Sequence, residues 1–341
     1  MNSRPTRDDV ARMAGTSAAV VSYVVNNGPR PVSEATRARV LAAISRTGYR
    51  PNGVATALAR GNTAILGLIV PDMANPFLAQ LGQALEREFS ARGFAMLIGD
   101  SGDDRQREVA LVEMFLRQQI AGLIWYGVDQ PPPVDLIASA GIPVALLNHP
   151  VGTPMSTTAR RVITVHTDER MLMRVATTHL IEHGRTRIGI LGGPAERLNA
   201  RERARGWAQA LAEAGLPEGL RLALPFTRRA GFEAAPRMAQ SGCDAVVASN
   251  EFQALGLLAG LQAAGVAVPD DVAVVCVNGT SGAPFAVPAL SATELSFRKL
   301  ASDIAQAFEP GSTTKEIVAE ANLRVRRSCG CDWDPGQEVE L

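Results

Sequence analysis

Polar side chains that both donate and accept hydrogen bonds recur in this 341-residue chain directly after short apolar runs. Asn75 and Phe77 follow the run 64–70, Asp100 follows 94–98, Trp125 closes 122–125 and Asn148 follows 144–147. In the second half, Arg201, Asn250, Phe252 and Asn278 come after the runs 187–191, 245–248 and 272–275. Amides, a carboxylate and a planar guanidinium beside aromatic walls suit a small polyhydroxylated ligand. The arginine fork spans vicinal hydroxyls or a carboxylate, and the rings supply apolar contact. These nine residues are the candidate ligand-binding set.

No reading as an enzyme gains comparable support. Gly189, Gly192 and Gly193 do not form a dinucleotide fingerprint, and no phosphate loop with its lysine is present. His149, His166, His179 and His183 are scattered; His179 and His183 stand four apart without the adjoining glutamate of a zinc protease. Asp168 and His179 lack a nucleophile elbow to complete a triad. Cys243 and Cys276 lie in apolar runs and read as buried thiols. Cys329 and Cys331 form a lone Cys-Gly-Cys with no partner pair at a recognisable spacing, so no metal and no cofactor are expected. His183-Gly184 reads as a helix C-terminus.

The elements that would position the ligand set alternate. Strands at 64–70, 94–98, 122–125 and 144–147 interleave with helices at 76–92, 104–119 and 134–140. Strands near 187–191, 245–248 and 272–275 interleave with helices near 169–183, 202–214, 232–240 and 251–264. Such alternation implies parallel sheets covered on both faces, and two sets imply two lobes with a ligand beyond the strand C-termini. Hydrophobic residues at 46% and charged residues at 20% fit an ordinary globular chain and exclude wholesale disorder. The long uncharged run 272–293 is broken by Gly and Pro, and residues 1–9 have no apolar export core. Neither a membrane partner nor export is therefore expected, which implies the cytoplasm.

A net charge of zero conceals an asymmetry. Residues 1–61 carry nine arginines against three acids, a net +6, and the rest of the chain is −6. A basic head on an acidic body points to a polyanion as the head's partner. Within the head, Thr6 and Asp9 form a capping-box start with Val10, Met13 and Ala14 at helical spacing. Gly15-Thr16 interrupts, Ser17 caps a second helix at 18–25, and Ser33 caps a third that runs to Thr47 with Val40, Leu41 and Ile44 inward. Two short helices across a glycine turn with a third behind them make a helix-turn-helix. A three-helix module without nucleic acid is the alternative, and the charge argues against it.

The stretches 7–17, Val20-Val-Ser-Tyr-Val-Val-Asn26, Val32-Ser33, Thr36-Arg37, Gly48-Tyr-Arg-Pro-Asn52 and Ala55-Thr-Ala-Leu-Ala59 resemble the lactose/galactose repressor family, and the likeness extends to about Ser328. The resemblance implies an all-α helix-turn-helix headpiece (1–50), a hinge helix (51–61) and a two-lobed α/β effector and dimerisation domain (62–328) similar to periplasmic sugar-binding proteins. A tail without fixed structure (329–341) would follow. It implies a DNA-binding regulator, most simply a repressor, that acts as a homodimer on a pseudo-palindromic double-stranded operator and is controlled by a small-molecule effector. DNA contacts would fall on Thr6, Ser17, Ala18, Ala19, Ser22, Tyr23, Asn26, Asn52, Ala55 and Leu58, with Leu58 as a minor-groove wedge. Tyr23 stands where many relatives carry arginine. Arg201, Asn148, Asn250 and Asn278 match effector-pocket positions, although Asn278 replaces a usual aspartate and Leu172 a usual glycine. A neutral Asn278 beside Arg201 admits an acidic sugar or carboxylate, and a nucleoside, as alternatives to a neutral sugar or polyol. A cytoplasmic ligand sensor without a DNA role is the other functional reading, but it has no use for residues 1–61.

Overall fold

The computed structural model describes residues 5–26, 28, 30–50, 63–127, 136–137, 141–148 and 161–334. The chain divides into two compact units, 1–64 and 65–341.

In the first unit, α1 (Arg7–Ala14) opens with the full capping box: the Thr6 hydroxyl accepts from the Asp9 amide at 3.3 Å, and the Asp9 carboxylate accepts from the Thr6 amide at 2.9 Å. Gly15 closes it in the left-handed conformation, φ 61°. The second helix, α2 (Ala18–Asn26), starts with the Ser17 hydroxyl accepting from the Val20 amide. The third, α3 (Glu34–Thr47), is capped by Ser33 and ended by Gly48. Val10, Ala11, Ala14, Val21, Val24, Val40 and Ala43 form the core. Leu41, expected inside, is exposed, as is Met13; the smaller Ala11 and Ala43 are buried instead.

The second unit holds two parallel-rich sheets. One contains β1 (Ile65–Val70), β2 (Ala95–Asp100), β3 (Gly122–Tyr126), β4 (Val144–Leu147), β5 (Val162–His166) and β11 (Glu316–Val318), in the order β11-β5-β4-β3-β1-β2. The other contains β6 (Ile188–Gly192), β7 (Arg221–Ala223), β8 (Ala245–Ala248), β9 (Ala273–Val277), β10 (Ser291–Leu295) and β12 (Ala321–Arg324), in the order β12-β10-β9-β8-β6-β7. Among the described residues, only β10 with β12 runs antiparallel. Burial of both faces explains the near-continuous apolar strands, such as Ile65–Val70 and Ala273–Val277.

Helices α4 (Pro76–Ala91) and α5 (Arg105–Arg117) follow β1 and β2 in the first lobe. In the second lobe lie α6 (Glu169–Glu182), α7 (Leu198–Glu213), α8 (Arg228–Gln240) and α9 (Glu251–Ala263). Small residues bring helices close. A Cβ on Gly206 of α7 would lie 2.1 Å from the Arg170 carbonyl of α6, and one on Gly256 of α9 would lie 1.9 Å from that of Arg228. The chain crosses between lobes after β5, after β10 and between β11 and β12. The last helix, α10 (Phe297–Phe308), returns to pack on α4, with Phe297 edge-on to Phe77 at 5.2 Å. One apolar core runs through both lobes.

Expected strands and helices in 64–126 and 169–277 are present within a few residues, α7 and α8 starting four residues earlier than expected. Of the helix expected at 134–140, only 136–137 is described, and the hinge at 51–61 lies outside the described residues. The chain end departs from expectation. Residues 327–329 form a 3-10 turn, Cys329 is buried in the core, and Cys331 packs against it; only 335–341 lie outside the described residues.

Candidate functional site

The C-terminal ends of the strands in both lobes line a cleft of about 530 Å³, well within the size range of small-ligand pockets. Asn75 caps α4 there, accepting from the Phe77 amide at 3.1 Å, and Phe77 stands beside it. Asp100 ends β2 and accepts from the amides of Met73 and Gly102. Asn148 and Asn278 follow β4 and β9, one in each lobe, and both adopt a left-handed backbone with φ 58°. That conformation suits asparagine better than most residues and turns the chain back at the cleft. Asn250 caps α9 and Phe252 lies on its first turn, with the Arg228 guanidinium 3.8 Å over the Phe252 ring. All seven of these candidates line the cleft.

Two candidates do not. Trp125 is buried in the core on the far face of the first sheet, and its neighbour Tyr126 faces the cleft. Successive strand residues point to opposite faces, so the expectation was one residue out of phase. Arg201 is exposed, donating to the Glu196 carbonyl at 2.6 Å, while Arg203 forms the cleft wall. A two-residue step rotates a side chain by roughly 200° around a helix. Arg203 shares its face with Asn199 and the buried Trp207, each four residues away, and that spacing was the available signal. Arg203 is buried and satisfied: Nε meets Glu169 Oε2 at 2.7 Å and Nη1 donates to the Ser249 carbonyl at 2.6 Å.

Sequence reading also missed Arg197, Phe226 and Thr280. Phe226 needs the bare backbone of Gly193, where a Cβ would fall 2.1 Å from its ring. Glu251 is buried in the wall and accepts from the amide and hydroxyl of Thr280; burial raises its pKa despite those bonds. Burial lowers the pKa of Arg197, which pairs with Asp103 across the cleft. Gln80 and Ser281 make a second contact between lobes. The buried Oδ1 atoms of Asn199 and Asn278 have no hydrogen-bond partner.

In the headpiece, Ser17, Ala18, Ala19, Ser22 and Tyr23 occupy the first turns of α2, opposite the buried Val21 and Val24. Ala19 is exposed, and Ser22 and Tyr23 are half-buried. The Tyr23 ring folds back over Gly28, where a Cβ would lie 2.5 Å from Cδ1. Thr6 is committed to capping α1. The Asn26 side chain, Asn52, Ala55 and Leu58 lie outside the described residues. No helix among the described residues is long and apolar enough to cross a membrane.

Comparison with known proteins matches both units. Residues 6–52 match bacterial regulatory proteins of the lacI family, and residues 177–329 match a periplasmic binding protein-like domain. The HTH-type transcriptional regulator GalR of Salmonella typhimurium is 31% identical over 97% of this chain and 98% of its own. The HTH-type transcriptional repressor PurR of Photobacterium profundum is 29% identical over 92% and 91%. Among solved structures, a complex of the transcriptional regulator CelR with cellobiose has TM-score 0.68 and 29% identity, covering 95% of this chain and 100% of the other. The lac repressor dimer bound to operator and the anti-inducer ONPF has TM-score 0.81 at 23% identity, covering 96% and 99%, and shares the fold. A basic capped helix-turn-helix joined to a two-lobed ligand cleft, with full-length kinship to named repressors, places this chain in the lacI family of bacterial regulatory proteins: it is a DNA-binding, ligand-controlled transcriptional regulator and not an enzyme.

Proposed function

We propose that a neutral sugar or polyol in the cleft sets the affinity of a cytoplasmic homodimer for a pseudo-palindromic operator. The observation that carries the ligand class is the pair Asn199 and Asn278, whose buried Oδ1 atoms lack donors. A buried acceptor left unmade costs about 1–3 kcal/mol, which ligand hydroxyls would recover. Charge argues the same way. Asp72, Asp100, Asp103 and Glu251 line the cleft against Arg197 and Arg203, and both arginines already face a carboxylate. An anionic ligand would meet net negative charge. The cellobiose held by the similar CelR supports a sugar.

On DNA, the N-terminus of α2 would enter the major groove, with Ser17 and free amides at a phosphate and Ala18 and Ala19 against thymine methyls. Thr6, Ser22, Tyr23, Asn26, Asn52 and Ala55 would add contacts, and Leu58 would wedge the minor groove at the operator centre. Dimerisation would cover exposed apolar side chains of the lobes, including Ile98, Met114, Phe285 and Val287. The lac repressor neighbour is a dimer. Ligand would act by population shift, through different affinities for the lobe arrangement that Arg197–Asp103 and Gln80–Ser281 hold and for one without those contacts.

Thermal shift of the full chain against neutral sugars and polyols, sugar acids, sugar phosphates and nucleosides tests this. A ligand at about 100 times its Kd should add about 2.7 kcal/mol, a rise of about 5 °C for a body of this size. The expected hit is a neutral sugar or polyol, retained by Arg201→Ala and lost by the Glu169→Gln/Arg203→Met pair, which removes both buried charges together. A hit confined to sugar acids or phosphates, or one lost in Arg201→Ala, would refute the reading.

A further inference from the structure

His179 and His183 project from the last turn of α6 four residues apart, and the fold sets the chain end beside them. Cys331 Sγ lies 3.3 Å from His183 Nε2 and 3.7 Å from His179 Nε2, and Cys329 Sγ lies 3.2 Å from His179 Nε2. The ligand atoms of His179, His183 and Cys331 all fall within 4.8 Å of one another. The two imidazoles lean together, with ring centroids 4.5 Å apart. Ligands at 2.3 Å (sulfur) and 2.0–2.1 Å (nitrogen) from a tetrahedral zinc ion stand about 3.5 Å from each other along an S···N edge. These three S···N separations bracket that value, and Cys329 Sγ stands outside the mutual 4.8 Å set on the His179 side.

We propose that His179, His183 and Cys331, whose ligand atoms already lie together, hold one zinc ion, and that Cys329, now against His179, turns its sulfur inward to complete a Cys₂His₂ site. The donor chemistry is selective. Two thiolates neutralise a divalent charge, and a tetrahedral S₂N₂ set disfavours the hard cations, which take oxygen. The surroundings fit a structural site: Cys329 is buried with the Ser291 hydroxyl donating to its sulfur at 3.0 Å, while His183 is exposed and leaves a path for entry. The site is separate from the ligand cleft. His183 precedes β6, so it stands at the N-terminal ends of the second lobe's parallel strands, whereas cleft residues such as Asn250 and Asn278 follow strand C-termini. An ion there would clamp residues 329–331, beyond the final strand, to α6 at the base of that lobe. The sequence gives little warning, because 146 residues separate His183 from Cys329.

Zinc content of the reduced full-length protein, loaded with excess Zn²⁺ and then desalted, should be close to one ion per chain. Cobalt should replace it with the visible bands of a tetrahedral centre and thiolate-to-metal charge transfer. Cys331→Ser and His183→Ala, both at accessible positions, should each reduce retained zinc at least tenfold, while His166→Ala should leave it unchanged. Zinc should also protect Cys329 and Cys331 from alkylation, as read by peptide mass. Substoichiometric zinc in the wild type, a cobalt spectrum without thiolate charge transfer, or equal retention in Cys331→Ser and His183→Ala would overturn the assignment. So would a Cys329–Cys331 disulfide that persists under the reducing conditions used for loading.

Discussion

Arg203 and Glu169 illustrate how the cleft is built from single residues. Their buried pair, 2.7 Å apart, fixes a guanidinium that an isolated arginine could not hold in one geometry, and the Ser249 carbonyl completes its orientation. Residue types were legible in the sequence: asparagines after strands, aromatic walls and an arginine on α7 were all expected. Phase was not. Trp125 for Tyr126 and Arg201 for Arg203 are each errors of one or two positions, where side-chain direction reverses while the local composition barely changes. At the DNA face, Tyr23 carries the clearest single-residue expectation. Its ring folds over Gly28 and offers no bidentate donor to guanine O6 and N7, as an arginine would. Operator selection with Tyr23→Arg should therefore gain a guanine preference at one symmetric base pair, worth about 1–3 kcal/mol; identical selected sites for both proteins would rule that contact out.

The elements divide into those that announce themselves and those that do not. Capped helices and fully apolar strands were readable because caps and unbroken Val/Ile/Leu runs are local signals; α1, α3, β1 and β9 are examples. The segments β5, β7, β10, β11, α10 and β12 were not. They are short or mix polar and apolar residues, as in Ser291–Leu295 and Glu316–Val318, and several exist only because a crossover brings them to a distant sheet. The capping box at Thr6 is an element-scale device with a pH signature. Hydrogen bonds from Thr6 hold the Asp9 carboxyl below its usual pKa of 3.8, with Arg12 adding a smaller contribution. A depressed folded pKa means that this stabilisation is present above about pH 4 and is lost as pH falls through the folded value. Thr6→Ala should lower headpiece stability by about 1 kcal/mol at neutral pH and blunt its acid sensitivity, read as the headpiece transition in calorimetry of the full chain. An unchanged transition would show that the cap does not hold α1.

Across the whole molecule, charge and architecture agree. The nine arginines within residues 1–61 suit DNA, and the acidic body suits a neutral ligand. The chain crosses three times between the two lobes, and the cleft lies at the C-terminal ends of the strands of both. Ligand control requires unequal affinity for the two arrangements; tight binding alone shifts nothing. The most direct measurement is fluorescence anisotropy of the full chain on its selected operator at fixed salt, with and without the neutral sugar found by thermal shift at saturation. Operator Kd should change at least tenfold, equivalent to about 1.4 kcal/mol, and the change should persist in Arg201→Ala but vanish in Glu169→Gln/Arg203→Met. An operator Kd that stays the same at saturating ligand would contradict the account, because the cleft would then bind without controlling DNA.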